Sequence, residues 1–356
     1  MNKYILNIEN LSVKYTAHSR LFLSAKKYIN AVESLDLSII KGETLGLVGE
    51  SGCGKTTVVK AVAKLLRFSA PSAVVTGKAI FNADGQKIDL LSLSEKQFRK
   101  HRGLIQVIFQ DPYSSLNPRF TAGQIIEEPL LYFTNMDKAE RKKEVGRLME
   151  ITGLKADFAE RYPYEFSAGQ RQRIGIARAL APKPKLIIAD EPVSSLDVSV
   201  QAQILNLLED LKSEFGLSMI FVSHDLSVIE HISDRTAVMY LGRIIEAGSS
   251  ADIYKNPLHP YTKALLSAVP EINRKKKKEK IVLEGENPSA VQTGCAFSLR
   301  CPMSQPLCES LIPPFEEKLK GHSVACHFCA GRFNPDVLHP AIVTAGHVEH
   351  GMDFIL

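Results

Sequence analysis

The residues from Gly49 to Thr56 have the types and the spacing of a phosphate-binding loop (P-loop). Their sequence, GESGCGKT, matches the pattern G-x-x-x-x-G-K-[ST]. In this pattern the glycines let backbone N–H groups approach phosphate oxygens, Lys55 supplies a cation and the hydroxyl of Thr56 ligates magnesium. We therefore expect ATP to bind here. The predicted contacts are Gly49, Glu50, Ser51, Gly52, Cys53, Gly54, Lys55, Thr56 and Thr57.

Two adjacent carboxylates follow an apolar run further along the chain. The segment LIIADE places Asp190 and Glu191 at the end of a buried strand. Asp190 is expected to hold magnesium through water, and Glu191 to act as the general base on the attacking water. An acidic loop after a core strand is the alternative for either carboxylate alone, but the P-loop upstream favours the catalytic interpretation.

A second anion site is expected at the start of a helix. Ser167, with Gln170 three residues later, is the pattern of a capped helix beginning in FSAGQRQRIGIARAL. Because the helix N-terminus carries unpaired N–H groups and Gly169 keeps its tip small, Ser167, Gly169 and Gln170 are predicted to contact phosphate.

Alternating apolar residues near the N-terminus indicate two half-buried antiparallel strands. One alternation is Leu11, Val13 and Tyr15, and the other spans residues 35–39. Residues 16–30 are expected to form an exposed loop between these strands, because their charged side chains follow no clean period.

Buried strands alternate with helices through the middle of the chain. Apolar runs at 44–48, 186–190 and 218–223 indicate strands, and an apolar helical face extends over 200–215. This alternation predicts an α/β fold, with a parallel sheet covered on both faces.

Residues 90–165 are predicted to be mostly helical. Thr121 with Gln124, and Asp137 with Glu140, have the spacing of capping boxes at helix starts. These two pairs therefore predict where two of the helices begin.

Composition limits the class of protein. The chain has 356 residues, 45% of them hydrophobic, and a net charge of +5, which indicates two or three domains at roughly 150 residues each. The charge is too small to predict nucleic-acid binding. No run approaches the roughly 18 apolar residues of a membrane span, and the first residues lack the pattern of a secretion signal. A cytoplasmic protein is expected.

Five of the six cysteines lie between Cys295 and Cys329, which argues against a disulfide framework. Cys53 is expected to be only a small residue of the P-loop. A four-thiolate site in a short segment suits zinc or an iron–sulfur cluster equally from composition alone, and free thiols are the further alternative. The four cysteines with the spacing C-x5-C-x6-C-x17-C are Cys295, Cys301, Cys308 and Cys326.

Six motifs occur in a fixed order: GESGCGKT, FQDPYSSLNP, FSAGQRQR, LIIADEP, SSLD and SHD. Together they resemble the nucleotide-binding subunit of an ATP-binding-cassette (ABC) transporter. The resemblance covers about residues 4–250 and implies a nucleotide-binding domain over 1–250. Its fold would be a P-loop NTPase (RecA-like) core with an antiparallel β-subdomain and an α-helical signature subdomain at about 92–180. ATP would lie between the P-loop of one cassette and the signature helix of another.

The same resemblance implies residue roles. Gln110 would contact magnesium and the attacking water, and His224 would hold the γ-phosphate and orient Glu191. Asp197 would signal across the interface between cassettes. Tyr15 would stack on adenine, with a strand residue packed into the core as the alternative. The magnesium ligands implied are Thr56, Gln110 and Asp190.

One position departs from the family pattern, which usually has two adjacent glycines where this chain has Ala168 and Gly169. Alanine keeps the backbone N–H but adds a methyl group, which would hinder phosphate if the position needed a conformation open only to glycine. We therefore expect the ATP site of the partner, which this signature serves, to be the weaker one.

Residues 251–330 resemble the C-terminal extension of oligopeptide, dipeptide and nickel importer ATPases, and residues 331–356 are a tail. The resemblance rests on NPLHPYTKALLSAVP, GCAF, RCP and VACH, and it implies that the four cysteines bind a [4Fe-4S] cluster. Cys329 forms C-x2-C with Cys326 and would be a substitute ligand or an ordinary thiol. FQDPYSSLNPR and YPYEFSAGQRQRIGIARAL resemble the second of two ATPase subunits.

The implied partners are therefore a second ABC ATPase subunit in a heterodimer, two transmembrane permease subunits and a secreted solute-binding protein. The chain would lie peripherally on the cytoplasmic face of the inner membrane and power uptake of peptides, with nickel or short sugars as alternative cargo. A non-transport ATPase acting on ribosomes or DNA, and a redox-sensing ATPase, are rival functions. The basic run at 274–280 is interpreted as a solvated linker, with contact to anionic lipid as the alternative.

Overall fold

The computed structural model describes residues 3–17, 27–83, 85–268 and 293–329. The basic run at 274–280 and the tail at 331–356 lie outside these residues. The strands are β1 (Tyr4–Ala17), β2 (Lys27–Ile40), β3 (Thr44–Val48), β4 (Val74–Ala83), β5 (Gln86–Asp89), β6 (Ile105–Ile108), β7 (Leu186–Asp190), β8 (Ser218–Ser223), β9 (Arg235–Tyr240), β10 (Arg243–Ser249), β11 (Glu316–Leu319) and β12 (His322–Val324).

Helices cover much of the remainder of the described chain. They are α1 (Lys55–Val62), α2 (Leu66–Ser69), α3 (Glu95–Arg99), α4 (Pro112–Ser115), α5 (Ala122–Phe133), α6 (Lys138–Ile151), α7 (Ala168–Leu180), α8 (Val198–Phe215), α9 (Leu226–Ile232), α10 (Ser250–Lys255), α11 (Pro260–Ser267) and α12 (Pro306–Ser310). Within the described ranges, none of them is long and apolar enough to cross a membrane.

The N-terminal strands form an antiparallel sheet in the order β2-β1-β4-β5. Its strands are longer than the alternation predicted, since Thr16 pairs with Tyr28 and Tyr15 with Ile29. The prediction of one loop over 16–30 was therefore wrong at both ends of that range. Residues 18–26 of it lie outside the described chain. Backbone hydrogen bonds between β1 and β2 continue the strand pairing through residues whose side chains do not alternate between apolar and polar.

The second sheet is the core of the chain and has the order β11-β12-β10-β9-β3-β8-β7-β6. Neighbouring strands from β9 to β6 pair in parallel, as the apolar runs predicted. Successive residues of β7 pack into different hydrophobic clusters: Ile187 faces the helical side and Ile188 faces the N-terminal sheet. Both faces of the sheet are therefore buried, and its α/β character is confirmed.

Helices α3 to α7 contain both predicted capping boxes. Thr121 caps α5 with Gln124 at its third position, and Asp137 caps α6 with Glu140. The region predicted as mostly helical is interrupted by β6, which pairs with β7 at the edge of the core sheet. A four-residue strand is too short for its apolar pattern to be distinguished from the pattern of a helical turn.

The C-terminal segment continues the core sheet. β12 pairs with β10 through Glu246 opposite Val324 and Ala247 opposite Ser323. Beneath this pairing the buried carboxylate of Glu246 accepts hydrogen bonds from the N–H groups of Leu258 and His259 and contacts Nε2 of His322 at 2.8 Å. The segment is therefore attached to the cassette by paired strands and a buried polar cluster.

Candidate active site

The P-loop runs from the end of β3 to the start of α1, and two of its glycines are required by close approach. A Cβ added at Gly54, which has φ +110°, would lie 2.4 Å from the carbonyl oxygen of Ala31. One added at Gly49 would lie 2.2 Å from the carbonyl oxygen of Met239. Any other residue at these positions would push the loop away from β2 and β9.

Lys55 begins α1, and its side chain folds back over the loop. Its Nζ donates to the carbonyl oxygens of Gly49 at 2.7 Å and Glu50 at 3.0 Å, and the residue is only 4% exposed. The buried ammonium is thus compensated by carbonyl dipoles. A phosphate arriving at the N-terminus of α1 meets a cation that is already held in place.

The P-loop and β7 bring two magnesium-type ligands together. The hydroxyl of Thr56 donates to Oδ1 of Asp190 at 3.2 Å, and Asp190 is 7% exposed. Burial raises the pKa of Asp190, and the hydrogen bond from Thr56 opposes that rise. A hydroxyl and a carboxylate are hard oxygen donors, so these residues fit Mg²⁺.

Glu191 stands at the meeting point of three strand ends. Its Oε2 accepts from Nε2 of Gln110 at 2.9 Å and lies 3.1 Å from Nδ1 of His224. Gln110 follows β6 and His224 follows β8, the strands on either side of β7. The backbone of Glu191 has φ +48°, a strained conformation for a side chain of this type. The sheet therefore brings together all three residues predicted to be catalytic.

The predicted signature residues lie at the start of α7. Ser167 caps this helix by accepting from the N–H of Gln170, and Gln170 accepts in return from the N–H of Ser167. A Cβ added at Gly169 would lie 2.5 Å from Cγ1 of Val200, so glycine allows α7 to approach α8. Ala168 is the first residue of α7 and packs against the core. Its position needs no conformation reserved for glycine.

Two further residues implied by the resemblance are placed near helix starts. Asp197 caps α8, and its pKa is lowered by hydrogen bonds from the hydroxyl of Ser199 and the N–H of Val200. The hydroxyl of Tyr15 lies 3.2 Å from Oγ1 of Thr57 in α1, while its ring packs partly against the core. Tyr15 is therefore beside the P-loop as well as part of its strand.

Four of the C-terminal cysteines surround one cavity: Cys295, Cys301, Cys308 and Cys326. Cys329 packs instead with Leu258 and Val324. Burial raises the pKa of the Cys326 thiol to about 12, so a metal ion binding there would displace a proton. Among the described residues, no group of three or more His, Cys, Asp or Glu side chains is arranged to hold a single metal ion.

Sequence reasoning missed one contact of the P-loop altogether. The guanidinium of Arg300 donates to both carboxylate oxygens of Glu50, and the hydroxyl of Tyr261 accepts from the N–H of Glu50 at 2.9 Å. These partners are separated by 250 and 211 positions in the chain. No local pattern carries a signal for such a pairing.

Solved structures share this architecture. The dimeric post-hydrolysis state of the ATP-binding cassette MJ0796 bound to ADP and Pi is 28% identical, with a TM-score of 0.58 over 69% of this chain and 98% of that one. CbiO1 from Clostridium perfringens, part of the ABC transporter complex cbiONQ, is 26% identical, with a TM-score of 0.59 over 72% of this chain and 92% of its own. The fold is that of an ABC-type ATPase.

Sequence comparison identifies the family to which the chain belongs among ABC-type ATPases. Residues 32–194 match the family described as ABC transporter, and residues 245–308 match the oligopeptide/dipeptide transporter C-terminal region. The oligopeptide transport ATP-binding protein AppF of Bacillus subtilis is 49% identical over 91% of this chain and 97% of its own length. OppF of Escherichia coli is 46% identical over 91% of this chain and 96% of its own. The chain belongs to this family of ABC transporter ATP-binding proteins.

Proposed function

We propose that this chain hydrolyses ATP to drive uptake of oligopeptides or dipeptides through a membrane importer. The observation that carries the ATPase assignment is the contact of Glu191 with Gln110 and His224 beside the P-loop. The peptide assignment is supported by the match of residues 245–308 and by relatives named as oligopeptide and dipeptide transport ATP-binding proteins.

The geometry supports separate roles for the site residues in ATP hydrolysis. The N-terminus of α1 and Lys55 bind the phosphates. Thr56 and Asp190 would hold Mg²⁺, which would neutralise charge on the phosphate oxygens. Glu191 accepts the proton of the attacking water. His224 and Gln110 orient the Glu191 carboxylate through two contacts on Oε2.

The second half of each ATP site is proposed to come from another chain. Ser167, Gly169 and Gln170 lie at a capped helix start, and the positive end of the helix dipole there favours an anion such as phosphate. We assign these residues to the ATP held on the P-loop of a second ATPase subunit, in a heterodimer. Asp197, which caps α8, is assigned to the contact between the two chains.

The remaining partners follow from the importer assignment. Two permease subunits and a secreted solute-binding protein would supply the membrane path and choose the cargo, and this chain would work peripherally on the cytoplasmic face of the inner membrane. That the chain binds no nucleic acid remains a prediction. So does lipid contact through the basic run at 274–280, which lies outside the described residues.

The cysteine cavity is proposed to hold a [4Fe-4S] cluster, with zinc as the alternative. Support comes from the four thiols that line one cavity, a donor set that suits iron–sulfur clusters. Cysteines 295, 301, 308 and 326 would hold it, and when bound it would cross-link a segment with little core of its own.

Metal analysis of anaerobically purified full chain tests the cluster. We expect a brown protein with about four iron atoms and four sulfides per chain. Cys326→Ser should lose most of this iron, whereas Cys329→Ser is the matched control and should keep it. Colourless protein with stoichiometric zinc would contradict the cluster assignment.

The ATPase assignment is tested with Glu191→Gln in the complete importer. We expect turnover to fall by about 10²-fold or more, because loss of a general base costs 10²–10⁴-fold, while ATP still binds. Near-normal turnover would contradict the role of Glu191. Uptake of labelled peptides by vesicles carrying the importer tests the cargo. Uptake of nickel or short sugars, with no uptake of peptides, would contradict the peptide assignment.

A further inference from the structure

The P-loop is held at Glu50 by residues from the C-terminal part of the chain. Nη1 of Arg300 donates to Oε2 of Glu50 at 2.8 Å, and Nη2 donates to Oε1 at 3.2 Å. The backbone N–H of the same Glu50 donates to the hydroxyl of Tyr261. One P-loop residue is therefore bound at its side chain and at its backbone by groups distant in sequence.

These contacts are partly buried, since the Glu50 side chain is 26% exposed, so water competes with them less than it would at the open surface. The Arg300 side chain is 8% exposed in the ion pair and Tyr261 is fully buried. A two-point pair between a guanidinium and a carboxylate fixes orientation as well as distance. Glu50 is therefore set in a definite position relative to the C-terminal segment.

Glu50 is also connected to the cation of the site. Its carbonyl oxygen accepts from Nζ of Lys55 at 3.0 Å. Displacement of Glu50 would therefore change the position of the ammonium that is to meet the phosphates. Hydrogen bonds therefore connect Arg300, through Glu50, to Lys55.

The cysteine segment carries Arg300 directly. Arg300 precedes Cys301, and Phe297, two residues after Cys295, packs edge-on against Tyr240 and Tyr261 with ring centroids 5.3 Å and 5.4 Å away. A change in the packing of these cysteines therefore reaches the P-loop through rigid, buried contacts.

We propose that Arg300 and Tyr261 are positioning residues of the P-loop, through which the C-terminal cysteine segment sets the affinity of this chain for nucleotide. The proposal rests on the proposed role of the P-loop in binding ATP and not on the identity of the cargo.

The first test compares nucleotide affinity of full-length Arg300→Gln with that of the unaltered chain. The probe is a fluorescent ATP analogue in the absence of Mg²⁺, so that binding is measured without hydrolysis. We expect Kd to rise by about fivefold to tenfold, within the usual range of coupling between sites. Arg300→Lys should recover part of the affinity, because it keeps the charge and loses the two-point geometry. At saturating ATP the assembled importer should lose less turnover than it loses in kcat/KM, because saturation compensates for weaker binding.

Lys318→Gln is the matched control. It removes a cation of the same C-terminal segment whose pair with Glu316 is exposed, and it should leave Kd unchanged. Tyr261→Phe removes only the hydroxyl and should raise Kd in the same direction by a smaller factor. This variant keeps the test informative if Arg300→Gln folds poorly.

A double-mutant cycle with Glu50→Gln identifies the path. Arg300→Gln combined with Glu50→Gln should bind no worse than the weaker single variant, because both changes break one interaction. Additive effects, or unchanged Kd in Arg300→Gln when the unaltered chain binds, would overturn the inference. Failure of the unaltered chain to bind the probe would instead contradict the proposed nucleotide site.

Discussion

The P-loop and the C-terminal segment contact each other, yet they are built in different ways. The P-loop is a continuous stretch between β3 and α1, and its shape depends on backbone conformations at neighbouring residues. The C-terminal segment is attached by pairs of distant residues, among them Glu246 with His322 and Glu50 with Arg300. We therefore expect nucleotide binding at the P-loop to be sensitive to changes of backbone conformation. Attachment of the C-terminal segment should instead be sensitive to the loss of single side-chain partners.

The largest effect on the P-loop side is expected from Gly54→Ala. The added methyl would lie 2.4 Å from the carbonyl oxygen of Ala31, at a φ of +110°. We expect nucleotide binding to fall by more than about 10²-fold and stability to fall by about 2–4 kcal/mol, from strain and displacement of the loop.

Gly175→Ala in α7 is the control for that change, because nothing lies within 4 Å of its added methyl. It should stabilise the helix by about 0.5–1 kcal/mol. Probe titration and urea unfolding measure both variants. Equal nucleotide binding by Gly54→Ala and Gly175→Ala would remove the argument that backbone shape controls this region.

On the C-terminal side we expect the largest effect from Glu246→Ala. It leaves the N–H groups of Leu258 and His259 and the buried ring of His322 without their acceptor, at a cost of about 3–5 kcal/mol. Hydrogen exchange should show β12 losing protection while β7 keeps it.

The exposed pair of Glu316 with Lys318 offers the matched control in the same segment. Glu316→Gln should change stability by less than about 0.5 kcal/mol. If β7 and β12 lost protection together in Glu246→Ala, the C-terminal segment would be part of the cassette core and the contrast between the regions would fail.

The smallest effect is expected from Ala168→Gly. Ala168 is helical and packs on the core. The backbone conformations that only glycine can adopt are therefore not needed here for a phosphate to approach. ATPase of the assembled pair should change by less than about twofold and stability should fall by no more than about 1 kcal/mol. A severalfold gain in turnover would restore the expectation that alanine weakens the partner's ATP site.

The fold of the cassette could be predicted to the level of its sheet and helices. Apolar runs indicated β3, β7 and β8, and the capping boxes at Thr121 and Asp137 marked two helix starts at the correct residue. Secondary-structure propensity and the period of apolar residues depend on neighbouring positions in the chain, so both can be read from the sequence. β6 and the full length of β1 were not predicted, because pairing with neighbouring strands decides whether such stretches become strands.

The sequence by itself determined the P-loop, the carboxylate pair at Asp190 and Glu191, and the capped start of α7, because each depends on residues within a few positions. The family resemblance implied that Gln110 and His224 act with Glu191, and the tertiary structure shows the contacts themselves. Only the tertiary structure decided that β12 joins the core sheet and that Arg300 holds Glu50. Those contacts depend on how strands are ordered in a sheet. That order is set by packing over the whole chain and leaves no signal in any local stretch of residues.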